Sequence, residues 1–265
     1  MKKYEYVFVV LVYRNTSDLI SFFKSLNLSN YKVVVVNSYY DEMTDGEFRK
    51  IAQANDADYI TVENKGYGAG NNAGCRYALE NYEFSHLIIS NADVTVENWD
   101  KEVIDLQGDR IIAPDVRTLS GKRQNPNIPF KPSGLLERIE YKFFKNRHSK
   151  LIYMTYIISR LKKLLFYFRN SIVSGPRRIY SPHGAFLIIP YNVISKLHPL
   201  FNEEMFLFNE ERHLARLAEE NNVEVVYVPQ IRIKHMEDGS VSTINTRLFD
   251  LMSASYQVYY EYWNK

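Results

Sequence analysis

The sequence of 265 residues lacks several features that would indicate a secreted or membrane-spanning protein. Its single cysteine, Cys75, excludes a disulfide within the chain and fits a reducing compartment, so we expect a cytoplasmic protein. No run of about 18 uncharged apolar residues occurs, so we expect no membrane-spanning helix. The apolar run after the first lysines is short and has no small-residue cleavage site. We therefore expect a buried strand there and not a signal peptide.

The sequence also has little excess charge of either sign. Its formal net charge is +2 at pH 7, whereas a general nucleic-acid-binding domain would be strongly basic. We therefore expect no nucleic-acid partner. Apolar residues make up 46% of the chain, which is enough to bury the core of one large α/β domain.

Strand and helix patterns alternate over the first 115 residues and resume after Ser181. The predicted strands are Tyr6–Val12, Val33–Val36, Tyr59–Val62, His86–Ser90, Ala185–Ile189 and Val223–Val228. Helices are predicted from Ser17 to about Leu26 and over Phe48–Ala54, Asn72–Asn81, Tyr191–Leu197, Asn209–Glu220 and Asn245–Trp263. This order predicts an α/β fold, with one domain over residues 1–265 and a mostly parallel central sheet flanked by helices.

A glycine-rich segment follows the third predicted strand. It reads Asn64-Lys-Gly-Tyr-Gly-Ala-Gly-Asn-Asn-Ala-Gly74 and precedes a helix. Glycines let the backbone approach a ligand closely, and the free N–H groups of the helix would face that ligand. The alternative is a flexible turn. A dinucleotide-binding fingerprint is disfavoured, because it would follow the first strand.

Carboxylates and an imidazole follow other predicted elements. Asp93 comes after the fourth strand, where a carboxylate can hold a divalent cation beside a phosphate, although Asp also simply ends strands. His235 can ligate Mn²⁺ or a similar ion, although a lone histidine is more often structural. Glu210 and Glu211 lie in the first turn of a predicted helix. The helix dipole favours acidic residues there, which is one explanation. The alternative is that one of them is a general base.

Together and in this order, these sites resemble those of inverting glycosyltransferases of family 2. The resemblance is to the bacterial branch that builds rhamnose-containing and capsular polysaccharides. It covers about residues 5–128 and 179–262, and Asn64–Gly74 is its most specific match. It implies a GT-A fold, a Mn²⁺ or Mg²⁺ ion, and a UDP-sugar or dTDP-rhamnose donor. The acceptor would be a hydroxyl of a glycan or of a polyprenyl-diphosphate-linked molecule.

The resemblance also implies roles for individual parts and residues. Residues 1–128 would bind the nucleotide-sugar, residues 129–178 would form a basic helical insertion, and residues 179–265 would bind the acceptor and carry the base. Asn91-Ala92-Asp93 is similar to a relaxed Asp-x-Asp metal motif, and His235…Ser240 is similar to the late His and Ser of the family. The metal ligands would be Asp93 and His235, and the catalytic base Glu211 or Glu210. The implied donor-binding residues are Tyr13, Asn37, Asn64, Gly66, Tyr67, Asn71, Asn91, His183 and Gly184.

Two departures from the family pattern bear on these roles. Asn37 stands where the family has an Asp that accepts a hydrogen bond from a pyrimidine base. An amide oxygen can still accept from N3–H, but without charge assistance. Glu211 replaces the Asp of the Glu-Asp pair, and its extra methylene shifts the carboxylate, which leaves Glu210 open as the base. The alternative functions are an inactive nucleotide- or sugar-binding module and a nucleotidyltransferase, whose basic glycine-rich loop after the first strand is missing here.

The predicted insertion has its own pattern. Residues 131–170 contain ten Lys or Arg against two Glu. An apolar stripe at helical spacing comprises Leu151, Met154, Ile158, Leu161, Leu165 and Phe168. The basic residues beside it are Arg160, Lys162, Lys163 and Arg169. This pattern predicts peripheral contact with the inner face of the cell membrane. The alternative is that the stripe packs on the catalytic domain or in a homodimer.

Overall fold

A computed structural model describes residues 2–146, 152–172, 175–236 and 246–264. Within these ranges the strands are β1 Lys2–Val12, β2 Tyr31–Ser38, β3 Asp58–Val62, β4 Tyr82–Asn91, β5 Val94–Asn98, β6 Ile111–Thr118, β7 Arg177–Ile179, β8 Phe186–Pro190 and β9 Val225–His235. The helices are α1 Thr16–Ser25, α2 Glu42–Ala54, α3 Tyr67–Asn81, α4 Lys101–Asp105, α5 Gly134–Asn146, α6 Ile152–Ile172, α7 Tyr191–Leu197, α8 Glu210–Glu220 and α9 Thr246–Trp263.

The strands form one sheet in the order β3-β2-β1-β4-β8-β6-β9-β5, with β7 paired to β9. Strands β1 to β4 are parallel to their neighbours within that group. Strand β8 runs antiparallel between β4 and β6, while β6 and β9 are parallel. The predicted α/β architecture is confirmed. The parallel arrangement belongs to the first half of the sheet, and the second half is mixed.

The core lies on both faces of this sheet. Along β1, Val7 and Val9 belong to one buried cluster and Phe8 and Val10 to the other. A strand covered on both faces needs apolar side chains at every position, which explains the unbroken apolar run. Helix α3 packs over the first face and α1 over the second, so both faces of the N-terminal half are shielded from water.

Several boundaries differ from the sequence prediction. Helix α1 is capped by Asn15 and not by Ser17, because the side chain of Asn15 accepts the N–H of Ser17 at 3.2 Å. Strands β5 and β6 were not predicted, and the Pro114-Asp115 pair within β6 hides its pattern. Helix α3 begins at Tyr67, five residues before its predicted start.

Between residues 129 and 178, where the sequence predicts a helical insertion, the described structure has helices α5 and α6 and the start of β7. Helix α5 packs against α9, with Tyr141 stacked on Tyr260 at 4.3 Å between ring centroids. On α6, Phe166 is buried and packs against Phe130 and Tyr227. Of the predicted stripe, Leu151 lies outside the described residues and Ile158 is half-buried. The exposed members are Met154, Leu161, Leu165 and Phe168. No helix in the described ranges is both long and apolar enough to span a bilayer.

Candidate active site

The candidate site lies along the edge of the sheet where β1, β2 and β4 end. Tyr13 follows β1, Asn37 lies near the end of β2 and Asn91 ends β4. In register, Leu11 of β1 faces Asn91 and Val12 faces Asn37, so the three chain ends lie side by side. Ligands of such sheets bind beyond these carboxyl ends.

Asn37 is buried and held in one orientation by Asp45 of α2. Its Nδ2 donates to Oδ1 of Asp45 at 2.9 Å. Burial opposes the charge of Asp45, but hydrogen bonds from Thr61, Asn37 and Tyr59 lower its pKa to about 2. Because the carboxylate of Asp45 binds the amide nitrogen of Asn37, the amide oxygen of Asn37 remains available. That oxygen is buried and has no hydrogen-bond partner among the described residues, so it can accept from a ligand.

Two exposed aromatic rings, those of Tyr13 and Tyr40, follow the ends of β1 and β2 at the same edge of the sheet as Asn37. Tyr13 and Tyr40 meet edge to face at 5.7 Å between centroids. The guanidinium of Arg14 lies 4.1 Å from the ring of Tyr40 and 5.0 Å from that of Tyr13. Rings that remain exposed beside a buried acceptor can stack on a planar heterocycle. Neither Asp45 nor Tyr40 was identified from the sequence, since neither lies in a recognisable motif.

The glycine-rich segment is mainly the first half of α3 and not a loop. Gly66 has φ of +107°, and a Cβ there would overlap the backbone of Phe206. Gly70 and Gly74 lie inside the helix, where a Cβ would overlap Leu11 or the side chains of Val9 and Val36. These glycines therefore let α3 approach the sheet closely. The prediction of a loop up to Asn72 is wrong for this reason.

The polar side chains of this segment differ in their hydrogen-bond partners. The side chain of Asn64 accepts the N–H of Gly66 at 3.3 Å, which shapes the turn into α3. Asn71 donates to the carbonyl of Tyr67 at 3.0 Å. Its own amide oxygen is buried and without a partner in the described part of the chain. Asn72 is structural, because its amide binds the backbone of Leu200 and Phe201.

Asp93 and His235 are brought together by the sheet. Asp93 lies in the two-residue link between β4 and β5, and β5 pairs with β9 so that Val94 faces His235. Nε2 of His235 lies 3.2 Å from Oδ1 of Asp93. Its Nδ1 lies 2.7 Å from the amide oxygen of Gln124. In the tautomer in which Nδ1–H donates to Gln124, Nε2 carries a free lone pair 3.2 Å from Oδ1 of Asp93.

This pair fits a divalent cation. Neighbouring ligands of an octahedral ion with bonds near 2.1 Å lie about 3 Å apart, close to the observed separation. Among the described residues, no group of three or more His, Cys, Asp or Glu could hold a metal ion. Mg²⁺-type sites need one or two protein ligands when phosphate oxygens complete the shell. Residues 237–240 of the predicted motif, including Ser240, lie outside the described ranges.

His183 lies beside the Asp93–His235 pair and directly precedes Gly184, which contacts Glu211. Its ring centroid is 5.9 Å from that of His235. Burial, followed by the charges of His235 and Lys163, lowers the pKa of His183 to about 3, so the imidazole is neutral. Its backbone N–H donates to the side chain of Asn125 at 2.7 Å, and Nδ1 accepts the N–H of Ala185 at 3.2 Å. Nε2–H is then a fixed donor.

Gly184 binds Glu211 directly. Its N–H donates to Oε1 of Glu211 at 3.2 Å, and its carbonyl accepts the hydroxyl of Tyr67 at 2.8 Å. Burial and the charges of Glu211 and Glu210 raise the pKa of Tyr67 well above its usual value, so its proton stays in place. A side chain at Gly184 would crowd Glu211, with a Cβ 3.0 Å from its Oε1. Tyr67 and Gly184 thus fix the position of Glu211.

Glu210 and Glu211 begin α8, with Glu210 buried and Glu211 half-buried. Burial, reinforced by the neighbouring Glu211 carboxylate, raises the pKa of Glu210 to about 8. Burial also raises the pKa of Glu211, while the N–H of Gly184 favours its charged form. With a pKa of about 8, Glu210 keeps its proton near neutral pH. Glu210 is only 3% exposed and its Oε1 has no partner in the described structure.

Comparison with solved structures identifies the fold. The chain superposes on GalNAc-T7 with UDP, GalNAc and Mn²⁺ with a TM-score of 0.60 and 14% identity, over 88% of this chain and 44% of that one. It superposes on S. aureus TarS with a TM-score of 0.55 and 14% identity, over 88% of this chain and 36% of that one. It superposes on S. aureus TarS 1-349 with a TM-score of 0.54 and 12% identity, over 97% of this chain and 72% of that one. The chain has a GT-A glycosyltransferase fold.

Other comparisons add nothing to this result. The sequence matches no protein-family model and no curated protein. The chain spans less than half the length of two of the solved structures. At these identities the likeness shows the fold alone.

Proposed function

We propose that the protein is an inverting glycosyltransferase that moves a sugar from a nucleotide-diphosphate donor to an acceptor hydroxyl. The observation that carries this proposal is the continuity of the site. Asp93 and His235 form a cation-binding pair, His183 stands beside them, and Gly184 holds Glu211 at 3.2 Å. The consecutive residues His183 and Gly184 thus connect the proposed site for the diphosphate leaving group with the candidate base.

The donor base would bind beside Asn37. Asp45 holds the amide so that its unpartnered oxygen is an acceptor, and uracil and thymine offer N3–H as a donor. Cytosine has an acceptor at that position. Tyr13 and Tyr40 provide aromatic surface for the ring. These observations favour UDP- or dTDP-sugars, and Asn64, Gly66, Asn71 and Asn91 would lie along the rest of the nucleotide.

Asp93 and His235 would hold Mn²⁺ or Mg²⁺ through one carboxylate oxygen and one imidazole nitrogen. When bound, such an ion neutralises the charge that develops on a departing diphosphate. GalNAc-T7 carries Mn²⁺ together with UDP, which is consistent with this proposal. Neutral His183 adds a fixed N–H donor beside the pair, so it can bind an anionic oxygen without a change in protonation.

The base would be Glu211. Its carboxylate removes the proton from the acceptor hydroxyl as that oxygen attacks the anomeric carbon. The bond from the anomeric carbon to the diphosphate breaks in the same step, and the nucleoside diphosphate leaves. One displacement inverts the configuration. Glu210, whose pKa is about 8, keeps its proton and so places no second negative charge beside Glu211.

The acceptor class and pathway are further parts of the proposal. The sequence resemblance favours a glycan or lipid-linked acceptor in bacterial surface polysaccharide synthesis, with dTDP-rhamnose as one candidate donor. The single buried Cys75 is consistent with a cytoplasmic reaction. The division into donor-binding residues 1–128 and acceptor-binding residues 179–265 follows the same proposal.

A donor panel tests the function. The protein is incubated with Mn²⁺ and each of several UDP- and dTDP-sugars, with water as the acceptor, and mass spectrometry measures the nucleoside diphosphate released. We expect release from at least one donor, dependent on Mn²⁺ and lost in Asp93→Ala. Binding of a donor without any release would instead support an inactive binding module.

A further inference from the structure

The backbone directly before α8 is strained. Phe208 has φ of +75° and Asn209 has φ of +68°, so both are left-handed, and they are followed by Glu210 and Glu211. Asn adopts this conformation readily, whereas for a bulky residue such as Phe it is rare and unfavourable. The other non-glycine residues with positive φ in the described ranges each stand alone in the sequence: Arg14, Asn30, Asp56 and Asn222. Strain of this kind persists only where the surrounding structure enforces it.

The start of α3 holds the beginning of this segment. The carbonyl of Phe206 accepts the N–H of Tyr67 at 2.9 Å. Gly66 lies against the same backbone, and a Cβ at Gly66 would overlap it. The backbone of Phe206 is therefore fixed to the glycine-rich segment that we assign to donor binding.

Helix α9 holds the next residue. The hydroxyl of Ser255 donates to the carbonyl of Leu207 at 2.7 Å, and Ser255 is buried. Just before the segment, Met205 is buried in a cluster with Tyr256 and Tyr259 of α9. The chain on the N-terminal side of Phe208 is thus held at two consecutive carbonyls and at one buried side chain.

The chain on the C-terminal side of Phe208 is already helical in its hydrogen bonding. The carbonyl of Asn209 accepts the N–H of His213 at 3.0 Å, so Asn209 is joined to the first turn of α8. The two soft dihedral angles of Phe208 lie between this turn and the fixed Leu207. They therefore set the direction in which α8 starts.

Tyr67 connects the two ends of this arrangement. Its N–H binds the carbonyl of Phe206, and its hydroxyl binds the carbonyl of Gly184. The N–H of Gly184 in turn binds Glu211 at 3.2 Å. The chain from Phe206 to Glu211 and these three hydrogen bonds form a closed ring. A different starting direction of α8 would therefore move Glu211 away from Gly184.

We propose that Phe208 and Ser255 are positioning residues for Glu211. The left-handed backbone of Phe208 aims α8, and the hydrogen bond from Ser255 holds that backbone against its own strain. Relaxation at Phe208 would leave α8 folded but displace its first turn. That such a displacement lowers turnover rests on the proposed function, whereas the displacement itself is measured without any donor.

Ser255→Ala tests the anchor, and Ser253→Ala is the matched control. Ser253 is also a buried serine of α9 whose hydroxyl binds a backbone carbonyl, but that carbonyl belongs to Phe144 of α5. Each variant loses one such hydrogen bond, so we expect similar falls in melting temperature. Hydrogen-exchange mass spectrometry of the full chain should show faster exchange over residues 206–213 in Ser255→Ala only. Equal exchange over these residues in the two variants would overturn the proposal.

Turnover is measured as release of nucleoside diphosphate from an active donor in the presence of Mn²⁺. We expect Ser255→Ala to lower kcat by about tenfold or more with KM for the donor little changed, because a displacement of about 1 Å at a catalytic group has an effect of this order. Ser253→Ala should keep the kcat of the wild type. An unchanged kcat in Ser255→Ala would also overturn the proposal.

Phe208→Gly in the Ser255→Ala background tests the strain itself. Glycine adopts positive φ without a steric penalty, so the hydrogen bond is no longer required to hold the turn. This double variant should recover most of the lost kcat. Phe208→Ala/Ser255→Ala also lacks the aromatic ring but keeps the strain, and it should recover none. Equal kcat in the two double variants would contradict the proposal.

A comparison at Phe208 alone does not depend on Ser255→Ala being folded. A β-branched side chain disfavours positive φ strongly, so Phe208→Val should exchange faster over residues 206–213 than Phe208→Gly and have the lower kcat. Equal exchange in these two variants would contradict the proposal. A wild type that releases no nucleoside diphosphate, while exchange still separates Ser255→Ala from Ser253→Ala, would contradict the proposed function alone.

Discussion

At the scale of single residues, the site depends on side chains whose ordinary chemistry is altered by burial. The neutral His183, the protonated Glu210 and the fixed Asn37 are all buried or half-buried and differ from the same groups in water. The sequence indicated the types of residue and their order. It could not indicate which partner fixes each one, because Asp45, Gln124 and Asn125 lie outside any motif.

Asp93→Ala should reduce transfer by about three decades or more and leave the fold intact. Its loss removes one of two cation ligands, and stabilisation of the leaving group by the ion contributes several kcal/mol. Turnover with Mn²⁺ and a melting curve measure the two effects.

His235→Ala should weaken metal activation more than thermal stability. A large drop in melting temperature with unchanged metal activation would make His235 a structural residue.

Glu211→Gln should lower the rate by about two to four decades with donor affinity little changed, since general base catalysis contributes that much. Glu210→Gln is the matched control, because Glu210 occupies the adjacent position at the start of α8. Single-turnover rates and donor titrations measure both variants. Greater damage from Glu210→Gln would reverse the assignment of the base.

Glu210 also predicts a pH dependence of stability. Its folded pKa of about 8 lies above the ordinary value of 4.5, so the folded state binds this proton more tightly than the unfolded state. Its contribution to stability is full below about pH 4.5 and is lost as the pH rises through 8. The wild type should therefore lose stability relative to Glu210→Gln over that window. Parallel melting temperatures from pH 5 to 8 would contradict the raised pKa.

At the scale of elements, the glycines of α3 illustrate what periodicity cannot show. The glycine-rich run that starts at Asn64 predicts a turn before a helix that begins at Asn72, because glycine is a poor helix former. The helix nevertheless begins at Tyr67, since Gly70 and Gly74 let it lie close to β1 and β2. Strands β1 to β4 were predictable from their apolar runs. Strand β6 was not predictable from its sequence, because a proline and charged residues interrupt its apolar run.

Gly74→Ala should destabilise the protein by about 1–3 kcal/mol, since the added methyl overlaps Val9 and Val36 in a packed core. Gly46→Ala on α2 is the control, because a Cβ there meets nothing within 4 Å. It should stabilise the helix by up to about 1 kcal/mol. Denaturant unfolding gives both values. Equal effects of the two substitutions would mean that α3 does not pack as described.

At the scale of the whole molecule, the sheet order creates the site from distant parts of the chain. Strand β8 enters antiparallel beside β4, and the N–H of Asn91 donates to the carbonyl of Ala185 at 2.9 Å. This pairing carries His183 and Gly184 to the Asp93–His235 pair. Strand alternation predicts a common edge for Asn37, the 64–74 segment and Asn91–Asp93. It did not predict the mixed second half of the sheet, because long-range strand order leaves no local pattern.

The configuration of the released sugar tests the central claim most directly. With an α-linked donor that the protein hydrolyses, proton NMR at early times identifies the first anomer formed. A single displacement with Glu211 as base predicts the β-anomer from the wild type and almost no release from Glu211→Gln. First formation of the α-anomer, or release unaffected by Glu211→Gln, would contradict the mechanism.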